Sequence, residues 1–209
     1  MKELFLLDPN ITYLNFGSFG ACPKPVFEAY QDIQLQLERS PVQFMLNSGM
    51  DLLKSSRRSL ASYLCCEADD LVLMTNPSYA INTIAKSIPL SKGDEVLTTN
   101  LEYGAMSRTW NYYCERSGAK YRQSKINFPI QSKASFLDDF WEGYNERTKV
   151  VFISHITSST GLILPIKEIC LEAKRRGLMT IIDGAHVPGQ LPLNIGELDP
   201  DIYVGACHK

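Results

Sequence analysis

Two short apolar runs, residues 179–183 and 201–206, constrain the fold more than any other part of the sequence. Each has the length and composition of a strand that is buried on both faces of a parallel sheet. Four polar side chains follow the runs: Asp183, His186, His208 and Lys209. Ligands of open α/β sheets bind beyond the carboxyl ends of the strands. The sequence therefore predicts that a carboxylate, two imidazoles and an amine meet in one crevice.

Strand and helix patterns alternate from residue 71 onward, which predicts an α/β fold of three αβα layers around a mostly parallel sheet. The predicted strands are 71–74, 96–99, 119–126, 149–154, 179–183 and 201–206. The predicted helices are 24–40, 50–65, 78–87, 105–117, 136–144 and 166–176. We expect residues 1–70 to form an N-terminal arm with helices and residues 71–209 to form the sheet domain.

The first two predicted helices are amphipathic. In the first helix an apolar stripe recurs at helical spacing, formed by Val26, Tyr30, Ile33 and Leu37. In the second helix the residues predicted to point inward are Leu52, Leu53, Leu60 and Tyr63.

Composition excludes several classes of partner. The formal net charge of −2 gives no reason to expect binding to nucleic acid or to an anionic membrane. No apolar run is long enough to span a bilayer, and no signal peptide precedes Asp8. The six cysteines show no zinc-ligand spacing, so no metal site is expected. Reduced thiols in the cytoplasm are the simplest interpretation.

A lysine amine and a carboxylate are the two fixed protein partners of pyridoxal 5′-phosphate (PLP). Lys209 and Asp183 supply these groups, and a carboxylate opposite a positive ring nitrogen stays ionised. Each residue alone has an ordinary interpretation, because an aspartate at a strand end often caps a turn and a lysine in the last position is usually solvated. The combination, in this order, favours a cofactor site.

These residues, with the Gly-x-Cys-His segment before Lys209, resemble the PLP signature of the class V aminotransferase family, in particular its isopenicillin N epimerase-like members. The resemblance implies the fold of the PLP-dependent transferases (fold type I), with 71–209 as the PLP-binding large domain. It makes Lys209 the residue that forms a Schiff base with PLP and moves a proton at the substrate α-carbon. Asp183 would hold the ring nitrogen, and His186 would neighbour the phenolic oxygen.

Other segments resemble the family more weakly. Ser78 and Tyr79 match a segment that cradles the cofactor phosphate, which His208 would also reach. Tyr103 matches an aromatic residue that stacks on the ring, although an ordinary capped or packed helix start would explain either segment. Thr157 matches a residue that contacts the phenolic oxygen or the substrate, and His155 beside it could equally be a supporting residue.

The N-terminal arm resembles a segment that lines the mouth of the active site. On this resemblance Asn15 and Gly17 are candidate substrate-binding residues, while the alternative is an arm that only lies on the domain. Two positions depart from the family: Leu101 stands where a histidine is common, and Ala206 stands where a polar residue often touches the phosphate. Family chains also continue past the lysine into a small domain that supplies a substrate-binding arginine, so we expect this chain to be truncated.

The resemblance implies a PLP-dependent enzyme that acts on an amino acid as an epimerase, an aminotransferase or a C–S lyase of the desulfurase kind. Such enzymes are typically homodimers. The alternative is a catalytically silent, truncated fragment that binds PLP or another protein. An unrelated nucleotide-binding domain is a third hypothesis, but no Gly-x-Gly-x-x-Gly motif or P-loop follows any predicted strand.

Overall fold

The computed structural model describes residues 2–209, which form two compact units. The first unit comprises residues 2–72 together with Cys207–Lys209, and the second comprises Leu73–Ala206. The helices are α1 (Lys24–Arg39), α2 (Pro41–Gln43), α3 (Gly49–Leu64), α4 (Pro77–Ser87), α5 (Gly104–Ser117), α6 (Lys133–Glu142), α7 (Ile166–Arg175) and α8 (Ile195–Leu198). The strands are β1 (Glu95–Thr99), β2 (Lys120–Ser124), β3 (Thr148–Ser154), β4 (Met179–Gly184) and β5 (Ile202–Gly205).

The second unit is built on a parallel five-stranded sheet with the strand order β2-β1-β3-β4-β5. All five strands lie where the sequence predicts strands, and β2 is an edge strand. The predicted strand at 71–74 is wrong, because these residues have no regular secondary structure. An isolated apolar run becomes a strand only when another strand satisfies its backbone hydrogen bonds. This run contains the boundary between the two units, and Val72 is 77% exposed.

Helices cover both faces of the sheet, which confirms the predicted three-layer αβα architecture. On one face α4 and α5 pack against Phe152 of β3 and Ile181 of β4. On the other face α6 and α7 pack against Ile153 of β3 and Ile182 of β4. Phe152 is fully buried, and burial of a side chain of this size contributes about 2–3 kcal/mol.

Local sequence signals explain where the helices that flank the sheet begin and end. Asn76 caps α4 by accepting a hydrogen bond of 2.8 Å from the Tyr79 N–H. Ser132 and Ser135 form a reciprocal capping box at the start of α6. Gly118 ends α5 with a φ of 74°, a backbone conformation that glycine adopts without strain.

In the first unit the apolar side chains of both amphipathic helices are mostly exposed, and of the residues predicted to point inward from the second helix only Leu60 is half-buried. No residue of α1 is buried, and Val26 and Tyr30 are 57% and 56% exposed. In α3 only Ala61 is buried, while Leu52 and Leu53 are exposed. Periodicity predicts that a helix has an apolar face, but it does not say what covers that face. Among residues 2–209, no helix is both long and apolar enough to cross a membrane.

Candidate active site

Ser154 and Asp183 lie side by side at the carboxyl ends of β3 and β4. Side chains alternate between the two faces of a sheet, and Phe152 and Ile181 lie two residues earlier on the α4/α5 face. Ser154 and Asp183 therefore point to that same face. Because polar side chains here follow buried apolar strands, the edge of the sheet is where the second unit can meet a polar ligand.

Asp183 is a buried carboxylate, with 6% of its surface exposed. Its Oδ1 accepts a hydrogen bond of 3.0 Å from the Ala185 N–H, in the turn that follows β4. Its backbone carbonyl accepts a 2.8 Å hydrogen bond from the His155 N–H, which extends the pairing of β3 and β4. The backbone on both sides of Asp183 is thus held in place, and the position of its carboxylate is fixed by the sheet.

A second carboxylate, Glu102, lies close to Asp183. Its Oε2 accepts hydrogen bonds from the Ser154 N–H at 2.9 Å and the Ser154 hydroxyl at 2.6 Å. Its Oε1 accepts a hydrogen bond of 2.6 Å from the Thr99 hydroxyl at the end of β1. Burial and the negative charge of Asp183 outweigh these hydrogen bonds and raise the pKa of Glu102 to about 7. The sequence analysis gave this residue no role.

The two candidate residues next to these carboxylates occupy turns. Tyr103 directly follows Glu102, stands at the N-cap position of α5, and leaves 50% of its surface exposed. His186 is half-buried in the turn after β4, where the Val187 N–H donates to the Gly184 carbonyl at 2.9 Å. All four residues lie at or just after carboxyl ends of strands of the second unit: Glu102, Tyr103, Asp183 and His186. Sequence order predicted this edge for Asp183 and His186, and the family resemblance made Tyr103 a candidate.

His155 and Tyr203 form a pair next to Gly184, the last residue of β4. The His155 Nδ1 and the Tyr203 hydroxyl are 3.0 Å apart, and the Tyr203 ring packs against Gly184. Burial lowers the pKa of His155 to about 4, so the imidazole is neutral at physiological pH. Burial, with the charge of Asp183, raises the pKa of Tyr203 well above its ordinary value. His155 therefore has the contacts of a supporting residue.

Three other candidates of the second unit lie in loops and at a helix start. Ser78 and the exposed Tyr79 stand in the first turn of α4, where Asn76 accepts the Tyr79 N–H. Thr157 is almost fully buried, and its hydroxyl accepts the Leu162 N–H at 3.0 Å. The same hydroxyl lies 2.6 Å from that of Thr160. Thr157 thus closes its own turn, and its predicted contact with a ligand stays a prediction.

The remaining candidates, Asn15, Gly17, His208 and Lys209, belong to the first unit. Asn15 and His208 are exposed, while Gly17 and Lys209 are half-buried. The N-terminal arm passes very close to the segment that ends in Lys209. A Cβ placed on Gly20 would lie 1.9 Å from the carbonyl oxygen of His208. Only glycine allows this approach, so the arm and residues 207–209 are packed backbone to backbone.

Replacement of Gly20 by alanine is expected to separate the arm from residues 207–209. An overlap of this size with a backbone atom cannot be relieved by a side-chain rotation, and it should cost roughly 1–3 kcal/mol. Amide hydrogen exchange of Cys207–Lys209 should become about tenfold faster or more. The exposed Ser18→Ala in the same arm is the control and should leave exchange unchanged. Equal exchange in Gly20→Ala and the wild type would contradict the contact.

The structure also shows what stands at the two positions that depart from the family pattern. Leu101 is buried in the core between the sheet and α6 and α7, so no proton-transferring group stands there. Ala206 is 3% exposed. The one addition to the candidates, Glu102, lies in the same stretch as Tyr103. The signal for it was an acid next to a predicted ligand contact, with hydroxyl residues, Thr99 and Ser154, ending two neighbouring strands.

Two epimerases resemble the whole chain in sequence. Isopenicillin N epimerase of Amycolatopsis lactamdurans is 35% identical over 211 residues, which cover 100% of this chain and 53% of that protein. The isopenicillin N epimerase of Streptomyces clavuligerus is 36% identical and covers 98% of this chain and 51% of that protein. A probable chloroplastic L-cysteine desulfhydrase of Arabidopsis thaliana is 27% identical. The chain spans about half the length of these relatives.

Solved structures share the fold. The cystine C–S lyase C-DES, in complex with its reaction product cysteine persulfide, superposes with a TM-score of 0.88 at 25% identity, over 96% of this chain and 54% of that one. A mutant of C-DES with glycine covalently linked to its PLP cofactor gives the same TM-score at 24% identity. The sequence model of the aminotransferase class V family matches residues 20–209. This chain therefore belongs to the class V aminotransferase family.

Proposed function

We propose that this chain forms the cofactor-binding part of a PLP-dependent enzyme that acts on an amino acid. The observation that supports this most is Asp183, a buried carboxylate at the carboxyl end of a central strand, in a chain that belongs to a PLP-dependent family. Burial of an ionised carboxylate is costly unless hydrogen-bond donors or a positive group face it. A pyridinium nitrogen is such a group.

The side chains present fit the parts of PLP. Asp183 suits the ring nitrogen, and the exposed ring of Tyr103 suits stacking on the pyridine. Ser78 supplies a hydroxyl in the first turn of α4, an eleven-residue helix whose amino end favours a phosphate. On the family pattern His208 also contacts the phosphate, and Tyr79 adds to the same cradle. The weakest fit is Pro77, which has no N–H to donate.

PLP, when bound, draws electrons away from the substrate α-carbon. The protein residues have five tasks in our proposal. Lys209 attaches the cofactor covalently and moves the proton at the α-carbon, and Asp183 stays ionised and keeps the ring nitrogen protonated. His186 neighbours the phenolic oxygen, and Thr157 contacts that oxygen or the substrate. Asn15 and Gly17 of the arm line the substrate entrance.

The relatives differ in the chemistry that comes after proton removal. Two are isopenicillin N epimerases by name, and others are L-cysteine desulfhydrases. We propose epimerisation, transamination or C–S bond cleavage as the candidate outcomes, with an amino acid as the substrate in each. We also propose that the active form is a homodimer in the cytoplasm, and sedimentation velocity of the purified chain would test the dimer.

Borohydride reduction after incubation with PLP is expected to add one phosphopyridoxyl group to the protein, and peptide mass analysis should place it on Lys209. Lys209→Ala should abolish the added mass, because the side-chain amine that the cofactor needs is missing. Lys120→Ala, at an exposed position of β2, is the matched control and should keep it. A wild-type protein without added mass, or with the group spread over several lysines, would refute the proposal.

A catalytically silent fragment is the competing proposal. The exposed apolar faces of α1 and α3 favour it, since such faces often bind another protein. All three catalytic outcomes begin with removal of the α-proton. Loss of the α-proton NMR signal of candidate amino acids in D₂O, in the presence of protein and PLP, therefore supports the enzyme. Covalent PLP without such exchange supports the silent fragment.

A further inference from the structure

We propose that Glu102 is a positioning residue of this site: its carboxylate joins the loop of Tyr103 to the strand beside Asp183, and its negative charge strengthens the hold of Asp183 on a cationic ring nitrogen. The inference rests on the proposed function, because it assumes that PLP occupies this edge of the sheet. It adds to the site a residue to which the sequence analysis gave no role.

Hydrogen bonds of Glu102 anchor the loop between β1 and α5, in which Tyr103 is the next residue. The three hydrogen bonds to the Glu102 carboxylate come from Thr99 at the end of β1 and from both the N–H and the hydroxyl of Ser154 at the end of β3. Two donors on one serine fix the direction of the carboxylate as well as its distance. The loop that carries Tyr103 is thereby anchored to β3.

The anchor point is the residue beside Asp183. Ser154 and Asp183 are register partners in adjacent strands and point to the same face of the sheet. Neighbouring strands lie about 4.8 Å apart. A single chain of contacts therefore runs from the stacking candidate, Tyr103, through Glu102 and Ser154 to the candidate for the ring nitrogen. A shift of the loop would change the distance between the two groups that are expected to hold one planar ring.

The charge of Glu102 gives it a second effect on Asp183. The titratable groups that face Glu102 are Asp183 on β4 and Tyr121 on β2, and each interacts with it electrostatically. The hydrogen-bonding groups of β1 and β3 that face it, Thr99 and Ser154, are uncharged. Two carboxylates next to each other repel, which is one reason why the pKa of Glu102 is raised to about 7. A cation bound at Asp183 would relieve that repulsion.

Because cation binding at Asp183 is linked to the ionisation of Glu102, the affinity for the cation depends on pH. The cation lowers the pKa of Glu102, so binding releases a proton from Glu102 when the pH is near 7. By reciprocity, affinity for the cation rises as the pH rises through the pKa of the free protein. Below that pH the carboxyl is protonated and uncharged, and the same residue contributes hydrogen bonds but no attraction.

Glu102→Gln is the variant that separates charge from shape. Glutamine keeps an oxygen that can accept from Ser154 and an amide that can donate to Thr99, but it has no charge. The matched control is Glu95→Gln at the opposite end of β1. Glu95 is also a buried carboxylate, and it accepts hydrogen bonds from Asn145 at 2.7 Å and Arg147 at 3.0 Å. It lies far along the strand from the candidate site.

The experiment measures PLP dissociation constants of the full chain at pH 6 and pH 8 by the visible absorbance of the bound cofactor, with thermal melting of each variant. We expect Glu102→Gln to bind PLP about tenfold more weakly than the wild type at pH 8 and about equally at pH 6. Glu95→Gln should lower the melting temperature while its PLP affinity follows the wild type at both pH values.

Three results would overturn the inference. The first is a ratio of dissociation constants, Glu102→Gln to wild type, that is the same at both pH values. The second is an equal pH-dependent change in Glu95→Gln, which would assign the effect to stability. The third is a wild type that binds no PLP at either pH, which removes the proposed function and with it the role of Glu102. The first two leave the proposed function standing, so the two failures are distinguishable.

Discussion

Asp183→Ala is expected to weaken PLP binding by about 100-fold or more and to reduce α-proton exchange of amino acids below detection. Removal of one partner from a buried, hydrogen-bonded charge pair costs roughly 3–5 kcal/mol, and each 1.4 kcal/mol is a factor of ten. Asp183 has 6% of its surface exposed, so water cannot readily replace it opposite a cation. Without the carboxylate the ring nitrogen loses its proton, and the cofactor loses much of its ability to draw electrons.

Asp183→Asn and Asp201→Asn are the informative companions to this variant. Asparagine at 183 keeps the size of the side chain and loses only the charge, so it should reproduce most of the loss. The Asp201 carboxylate also contacts β4: it accepts hydrogen bonds from the Thr180 N–H at 2.7 Å and the Thr180 hydroxyl at 2.9 Å. Thr180 lies near the amino end of β4, at the end of the strand opposite to Asp183. Asp201→Asn should leave PLP binding intact. Wild-type affinity and exchange in Asp183→Asn would refute the assigned role of Asp183.

The sheet could be predicted from sequence because its signal is local. A strand buried on both faces needs a continuous apolar run, and the runs that end at Ser154 and Asp183 have this property in the sequence itself. The run at 71–74 has the same composition but no regular structure. Its conformation depends on a pairing partner that composition does not specify. The burial of α1 and α3 could not be predicted for the same reason: periodicity identifies an apolar helix face but not the surface that covers it.

The same distinction between local and distant signals separates the site residues that could be predicted from the one that could not. Asp183 and His186 were predicted because they lie at the end of a strand, and parallel strands bring their carboxyl ends to one edge. Tyr103 was predicted from the family resemblance. Glu102 was not predicted because its importance lies in hydrogen bonds to Ser154, 52 residues away along the chain. Its place beside Tyr103 was the one signal in the local sequence, and that signal does not reveal the contact with Ser154. A residue whose role depends on a contact far away in the sequence can be identified only from the three-dimensional structure.

Gly184→Ala is expected to destabilise the second unit by about 2–3 kcal/mol, because the space above Gly184 is already filled. A Cβ on Gly184 would lie 2.2 Å from each of three atoms of the Tyr203 side chain, including its hydroxyl oxygen. That ring is held by burial and by its hydrogen bond to His155, so it cannot simply turn away. Urea denaturation of the variant and the wild type gives the difference in the free energy of unfolding.

A second substitution tests whether Tyr203 is the cause. Tyr203→Ala removes the ring, so Gly184→Ala should cost much less in that background than in the wild type, which a double-mutant cycle measures as a coupling energy. Gly104→Ala is the matched control, since its Cβ would meet only the end of Arg108 at 3.6 Å. Because Gly184 directly follows Asp183, the single variant should also weaken PLP binding, and removal of the ring should restore part of that affinity. Equal stability of Gly184→Ala and the wild type would mean that β4 and β5 have room to move apart, and Asp183 would then not be held rigidly enough to position a ring nitrogen.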